Sequence, residues 1–175
     1  SGSDVILRKM GRRYNREHYL HLVNTMREKI PGLFLSTDII VGFPDETEEQ
    51  FLDTLSLVDT VKYESAFTFI YSPRKGTPAA SMADNVSKEL KTKRFLELLK
   101  HLEKTIEASS EKMVGHTYDV LVDGLSKTDK DMLSGYTDTN KMVHFKGDET
   151  IIGKIVKVHI LESHTYSLIG EVVNG

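Results

Sequence analysis

Three stretches of this 175-residue chain hold residue types that do chemistry. The first is Ser36-Thr37-Asp38-Ile39-Ile40-Val41-Gly42-Phe43-Pro44. A carboxylate inside an apolar, β-branched run must be paired, hydrogen-bonded or facing a wet cavity, because burying it alone is costly. Asp38 is therefore either a structural group bonded to neighbouring backbone and hydroxyls, or part of a ligand site at the carboxyl end of a strand, where βα barrels place their chemistry. Gly42 would let backbone approach a ligand with no Cβ in the way. The second stretch is Tyr71-Ser72-Pro73-Arg74-Lys75-Gly76-Thr77-Pro78-Ala79. It follows another apolar run and so belongs on the same rim. Its Arg74 and Lys75 either meet phosphate or are ordinary solvated charges. The third groups Arg8, Lys9, Arg12 and Arg13 beside Tyr14. Such a cluster binds anions, carboxylates or nucleic acid, or is simply a solvated face; Tyr14 would stack on a base or sit in a core.

Composition removes other chemistries. There is no cysteine, which excludes disulfides, thiolate zinc sites, a cysteine nucleophile and any iron–sulfur cluster held by this chain alone. The seven histidines are scattered, with only His18 and His21 close on one helix, so no metal site is expected. No phosphate loop, dinucleotide fingerprint or nucleophile elbow occurs. The formal charge of −3 gives no global basic field. With 39% hydrophobic and 28% charged residues the chain can bury a core, and no apolar run approaches the roughly 18 residues of a membrane span. No basic leader feeds an apolar segment, so a cytoplasmic location is expected.

Helices and strands must position these groups. Residues 15–30 read as an amphipathic helix capped by Asn15, with Tyr19, Leu22, Val23, Met26 and Ile30 in its stripe and Pro31-Gly32 as its stop. Leu33 to Val41 reads as a strand covered on both faces. Thr47 to Gln50 fits a capping box, and Phe51, Leu55 and Val58 continue a helical face. Ser65 to Tyr71 is a second strand of the buried type. Alternating helix and strand joined by short links implies a parallel sheet. Ser87 then caps a helix of roughly 25 residues, with Leu90, Phe95, Leu98, Leu99, Leu102 and Ile106 on its buried side. After Gly115 five short alternating runs, at 118–122, 133–137, 142–145, 152–160 and 166–173, predict a small antiparallel barrel of OB-like size. A boundary near residue 110 gives domains 1–110 and 111–175, carrying 16 basic and 16 acidic residues against 7 and 10.

Taken in order, the motifs are similar to those of a known family. Ser1-Gly2-Ser3-Asp4, Met10-x-Arg12-x-Tyr14, Thr37 to Pro44 with Glu46-Thr47, and Tyr71-Ser72-Pro73-Arg74-x-Gly76-Thr77-Pro78-Ala79-Ala80 resemble the radical-SAM methylthiotransferases. Ser134-Gly135-Tyr136-Thr137-x-x-Asn140-Lys141-x-Val143-x-Phe145 looks like their TRAM domain. Within the family, Pro73-Arg74 and the Asn140 to Phe145 segment look like the MiaB branch rather than the branch acting on a ribosomal protein.

The resemblance implies an α/β fold: the C-terminal part of a partial TIM-like parallel β/α barrel, followed by the small OB-like barrel. It implies addition of a methylthio group to C2 of N6-isopentenyladenosine at tRNA position 37, with S-adenosylmethionine and two 4Fe–4S clusters. One cluster cleaves S-adenosylmethionine to a 5′-deoxyadenosyl radical; the other takes part in sulfur delivery. Carried over by position, Ser1, Gly2, Ser3, Arg12, Asp38, Gly42, Phe43, Pro44, Tyr71 and Ser72 would bind S-adenosylmethionine. Arg12 would pair with the methionyl carboxylate. Arg74, Lys127, Asn140, Lys141 and Phe145 would face the anticodon loop of tRNA. Lys130, Lys146, Lys154 and Lys157 are further cations that a single face could gather. Asp45 stands where the family usually has Gly, a substitution that tolerates positive φ; Asn15 and Ser87 replace the usual Thr and Pro and still suit helix starts. The family's cluster cysteines are absent, so the expectation is a C-terminal piece, inactive without the N-terminal part of the same enzyme. Its incomplete barrel should expose an unpaired edge and associate through it. The alternatives are a stand-alone RNA-binding module, or a methylthiotransferase for a ribosomal protein or threonylcarbamoyladenosine.

Overall fold

A computed structural model describes residues 1–127 and 129–173, so Thr128, Asn174 and Gly175 of the expected second domain lie outside the described residues. The chain divides into two compact units, Ser1–Thr105 and Ile106–Gly175, with the division inside a helix that runs from residue 88 to 111.

The first unit is built on two parallel strands, β1 (Ser36–Val41) and β2 (Ser65–Ile70), in register from Ser36 opposite Ser65 to Val41 opposite Ile70. Parallel strands need a crossover, which α3 (Glu48–Val61) supplies. Its start is fixed by a full capping box: Thr47 Oγ1 accepts from the Gln50 amide, and Gln50 returns the bond to the Thr47 amide. The face bearing Phe51, Leu55 and Val58 is buried, as its 3.6-residue spacing predicts. α2 (Arg16–Lys29) begins where Asn15 accepts from the His18 amide, but Leu22 and Ile30 of its predicted stripe are exposed. A six-residue helix, α1 (Asp4–Lys9), precedes it and buries Ile6 and Leu7.

The expectation that both strands are covered on two faces is corrected. Ile39 and Val41 are buried, whereas Asp38 on the other face of β1 is exposed, and Phe67 and Phe69 of β2 are 61% and 51% exposed. A two-stranded sheet has a second face that nothing in the unit covers, so apolar strand residues there remain open. α4 (Lys88–Glu111) starts at Ser87, whose Oγ accepts from the Leu90 amide. It buries Leu98, Leu102 and Ile106 as predicted; Leu90, Phe95 and Leu99 are only half-buried, and the stripe instead continues through Lys91 and Arg94.

The second unit is a closed five-stranded barrel of β3 (Thr117–Leu125), β4 (Leu133–Thr137), β5 (Met142–Lys146), β6 (Ile155–Ser163) and β7 (Ser167–Val172), ordered β3-β4-β5-β7-β6. The expectation of a wholly antiparallel barrel is also corrected: β5 and β7 run parallel. The cause is connectivity. β6 crosses over to pair with β3, so β7, turning back antiparallel from β6, comes to lie along β5 in the same direction. Val120, Val122, Leu133, Val143, Phe145, Val158, Ile160 and Leu168 fill the interior. Gly135 and Gly170 let strands pass closely, since a Cβ at either would overlap the Leu121 or His159 carbonyl.

Candidate functional site

Because β1 and β2 are parallel, their carboxyl ends share one rim. The Tyr71 amide donates to the Val41 carbonyl at 2.9 Å, carrying the pairing one residue past β2. Beyond Val41 the chain turns through Gly42 at φ 68° and Asp45 at φ 60°, so Asp does hold the left-handed position expected of it. The turn is closed from within. The Gly42 amide donates to Glu46 Oε2 at 2.8 Å, and the Glu46 amide donates to the Phe43 carbonyl at 2.9 Å. Gly42, Phe43 and Pro44 are buried, and the Phe43 ring meets Tyr71 edge-on at 5.1 Å.

Glu46 is a fully buried carboxylate held from α4. Arg94 Nη1 donates to Glu46 Oε2 at 3.2 Å and to the Glu46 carbonyl at 2.7 Å, while Nη2 reaches Glu48 Oε2 at 3.1 Å. Burial nevertheless pushes the Glu46 carboxyl above its ordinary range, against the opposing pull of the Gly42 amide and Arg94. One turn earlier on α4, the Lys91 ammonium lies 5.3 Å from the Tyr71 ring centre and pairs with Asp84. Its stem fills the space beside Gly42, where a Cβ would lie 2.5 Å from Lys91 Cγ. Gly42 thus makes room for a lysine of this chain. Two buried polar atoms at the rim, Glu46 Oε1 and the Tyr71 hydroxyl, have no hydrogen-bond partner among the described residues.

Ser1-Gly2-Ser3 packs against α3. The Gly2 amide donates to Thr54 Oγ1 at 2.9 Å, the Ser3 amide donates to Ser1 Oγ at 3.2 Å, and a Cβ on Gly2 would overlap the Asp53 carbonyl. The structure therefore gathers Gly42, Phe43, Pro44 and Tyr71 at one rim, whereas Ser1 borders a cavity with Thr37, Asp38 and Thr54, and Arg12 is exposed after α1. Asp38 is set three residues back on the open face, and Ser72 is exposed beyond the rim. As an exposed group, Asp38 carries no burial penalty to be offset. A cavity of about 50 Å³ bordered by Ser1, Tyr14, Tyr19, Thr37, Asp38 and Thr54 has room for water but not for a nucleoside. Beside it the Tyr63 hydroxyl donates to Tyr19 at 2.8 Å and is pushed up chiefly by burial.

Within the second unit, the residues expected to face RNA do not share one surface. Phe145 is buried in the barrel interior and Lys141 donates from Nζ to Ser110 Oγ at 2.9 Å, so neither side chain offers a surface for a base or phosphate. The apolar alternation of β5 turns Phe145 inward with Val143. Asn140 serves the backbone, at φ 60° in the turn between β4 and β5. Lys127 is exposed in the β3–β4 connection, at the opposite end of β4 from that turn; Lys157 pairs with Asp119 on the outer surface; Arg74 is exposed after β2. Sequence reading missed Glu46 as a buried group, and Lys91 and Arg94 altogether. Their signal was phase: 91, 94, 98 and 102 repeat at helical spacing, with two cations in an otherwise apolar stripe.

Residues 1–58 match the Radical SAM superfamily and residues 111–173 match the TRAM domain. The Radical SAM match thus falls in the first unit and the TRAM match covers the closed barrel of the second. The chain is 53% identical over 174 residues to the tRNA-2-methylthio-N(6)-dimethylallyladenosine synthase of Geobacillus kaustophilus, covering 99% of this chain and 33% of that protein. The Oceanobacillus iheyensis synthase is 52% identical over 175 residues, covering 100% of this chain and 34% of its own length. The chain spans about a third of the length of the curated relatives it matches.

Proposed function

We propose that this chain is part of an enzyme that adds a methylthio group to C2 of N6-isopentenyladenosine at position 37 of tRNA. The observation that carries the reading is similarity over 99% of the chain to synthases named for that product. In this reading Gly42, Phe43, Pro44 and Tyr71 hold the adenosyl part of S-adenosylmethionine, Ser1 to Ser3 lie beside it, and Arg12 pairs with its carboxylate. A polar ligand suits this rim: two orphaned buried atoms, Glu46 Oε1 and the Tyr71 hydroxyl, each cost about 1–3 kcal/mol unless something bonds them. Bound there, S-adenosylmethionine would supply the alkyl chemistry, while Phe43 and Tyr71 would keep water from it. The iron–sulfur clusters of the family do not fit this chain's donors, since it has no cysteine, and the chain alone is expected to be inactive. No helix among the described residues is long and apolar enough to cross a membrane.

The test is a chimera in which this chain replaces the matching third of the Geobacillus kaustophilus synthase, expressed in a strain lacking the modification. Mass spectrometry of tRNA nucleosides should then recover methylthio-isopentenyladenosine. Methylthiolation of a ribosomal protein or of threonylcarbamoyladenosine instead, or turnover by the 175-residue chain alone, would refute the reading. The closed barrel, ordered 1-2-3-5-4 within its five strands, favours a second reading, an RNA-binding module in its own right. A tRNA titration at two salt concentrations separates the two: affinity that falls steeply with salt supports autonomous binding.

A further inference from the structure

The two family matches end at residue 58 and begin again at residue 111, so most of α4 belongs to neither. Yet α4 sends two cations into the rim. Arg94 is 2% exposed and Lys91 8%, on the face that also buries Leu98 and Leu102. A buried guanidinium is costly to keep unless its donors are satisfied. Here one fork spans the Glu46 carboxylate, the Glu46 carbonyl and the Glu48 carboxylate, and its face lies 5.5 Å from the Phe51 ring centre. The same Glu46 oxygen that Arg94 grips accepts the Gly42 amide, which leaves Oε1 as an unengaged acceptor at the rim. Lys91 meanwhile packs its stem on Gly42 and its ammonium by Tyr71, touching both strand ends.

We propose that Arg94, seconded by Lys91, is a positioning residue for the ligand-binding rim: it acts through Glu46 to set the Gly42–Pro44 turn that the ligand meets. The inference rests on the reading of this rim as the S-adenosylmethionine edge. Arg94 itself touches no ligand. Its planar fork makes three contacts in fixed directions, which a lysine's single ammonium cannot reproduce.

The experiment uses the 175-residue chain with S-adenosylmethionine as the probe, binding followed by calorimetry, and amide exchange at Gly42 referenced to Val58 in α3. R94M strands a buried carboxylate, so R94M/E46Q, which removes both charges together, is run beside it, with R94K as the conservative rescue. The double variant should keep a cooperative melting transition while Gly42 loses at least tenfold protection relative to Val58 and affinity falls at least tenfold. R94K should fall between it and the unaltered chain. Parallel loss of protection at Gly42 and Val58, with affinity simply tracking melting temperature, would mean a merely structural role and overturn the proposal. So would a folded double variant that binds as the unaltered chain does. No binding by the unaltered chain would instead remove the reading of the rim itself, and this inference with it.

Discussion

Glu46 is where burial and pairing oppose each other most directly. Its carboxyl is raised above the ordinary 4.5, chiefly by burial. The folded state therefore holds the proton more tightly than the unfolded chain does. That contribution to stability is present in full below the ordinary value and is lost as pH rises through the raised one. Urea unfolding at a series of pH values should show the stability of the unaltered chain, measured relative to E46Q, declining as pH climbs above about 4.5 and then levelling. A difference independent of pH would contradict the assignment. Single residues were unevenly legible in the sequence. Gly42 announced a need for freedom from a Cβ, and the need is real, but its cause is the Lys91 stem across the turn. Asp45 kept the positive φ that its type permits. Phe145 and Lys141 misled because exposure at a strand end is decided by barrel packing, which neither residue type reveals.

At the scale of elements, local signals translated well where the chain fixes its own ends. Asn15, Thr47 and Ser87 all start helices by accepting an amide with their side chains. T47A removes one half of a reciprocal pair and should cost about 1 kcal/mol by chemical denaturation, with T47S close to the unaltered chain. A loss indistinguishable from zero would mean that packing of Phe51 and Val58 alone sets the start of α3. The five barrel strands fall within a few residues of their predicted bounds because alternation at period two survives closure of the sheet. α1 escaped notice because six residues are too few to display a stripe. The burial of β2 was misjudged for a different reason. Phe67 and Phe69 have the composition of a doubly covered strand, but cover comes from elements that the alternation cannot count.

For the molecule as a whole, the open face of β1 and β2 is the feature from which solution behaviour is predicted. Phe67, Phe69 and Ile70 are exposed on a strand whose outer edge has no partner among the described residues. Such edges recruit other strands. Sedimentation velocity of the isolated chain should show association that grows with concentration, and F67K/F69K should shift it to monomer; a single concentration-independent species for the unaltered chain would refute this. The change of texture near residue 110, where long-period helices give way to short alternating strands, marks the expected boundary, while the compact units divide between Thr105 and Ile106, inside α4. The direction of β7 was not legible in the sequence, because pairing order is set by which earlier strands remain free. That order bears on biosynthesis. As the polypeptide leaves the ribosome, β3, β4 and β5 can zip together as they emerge, and β6 can dock on β3. The gap between β5 and β6 stays open until β7, last of the five to be translated, slots into it. A stop codon placed before β7 would thus release a gaping sheet rather than a slightly shortened barrel.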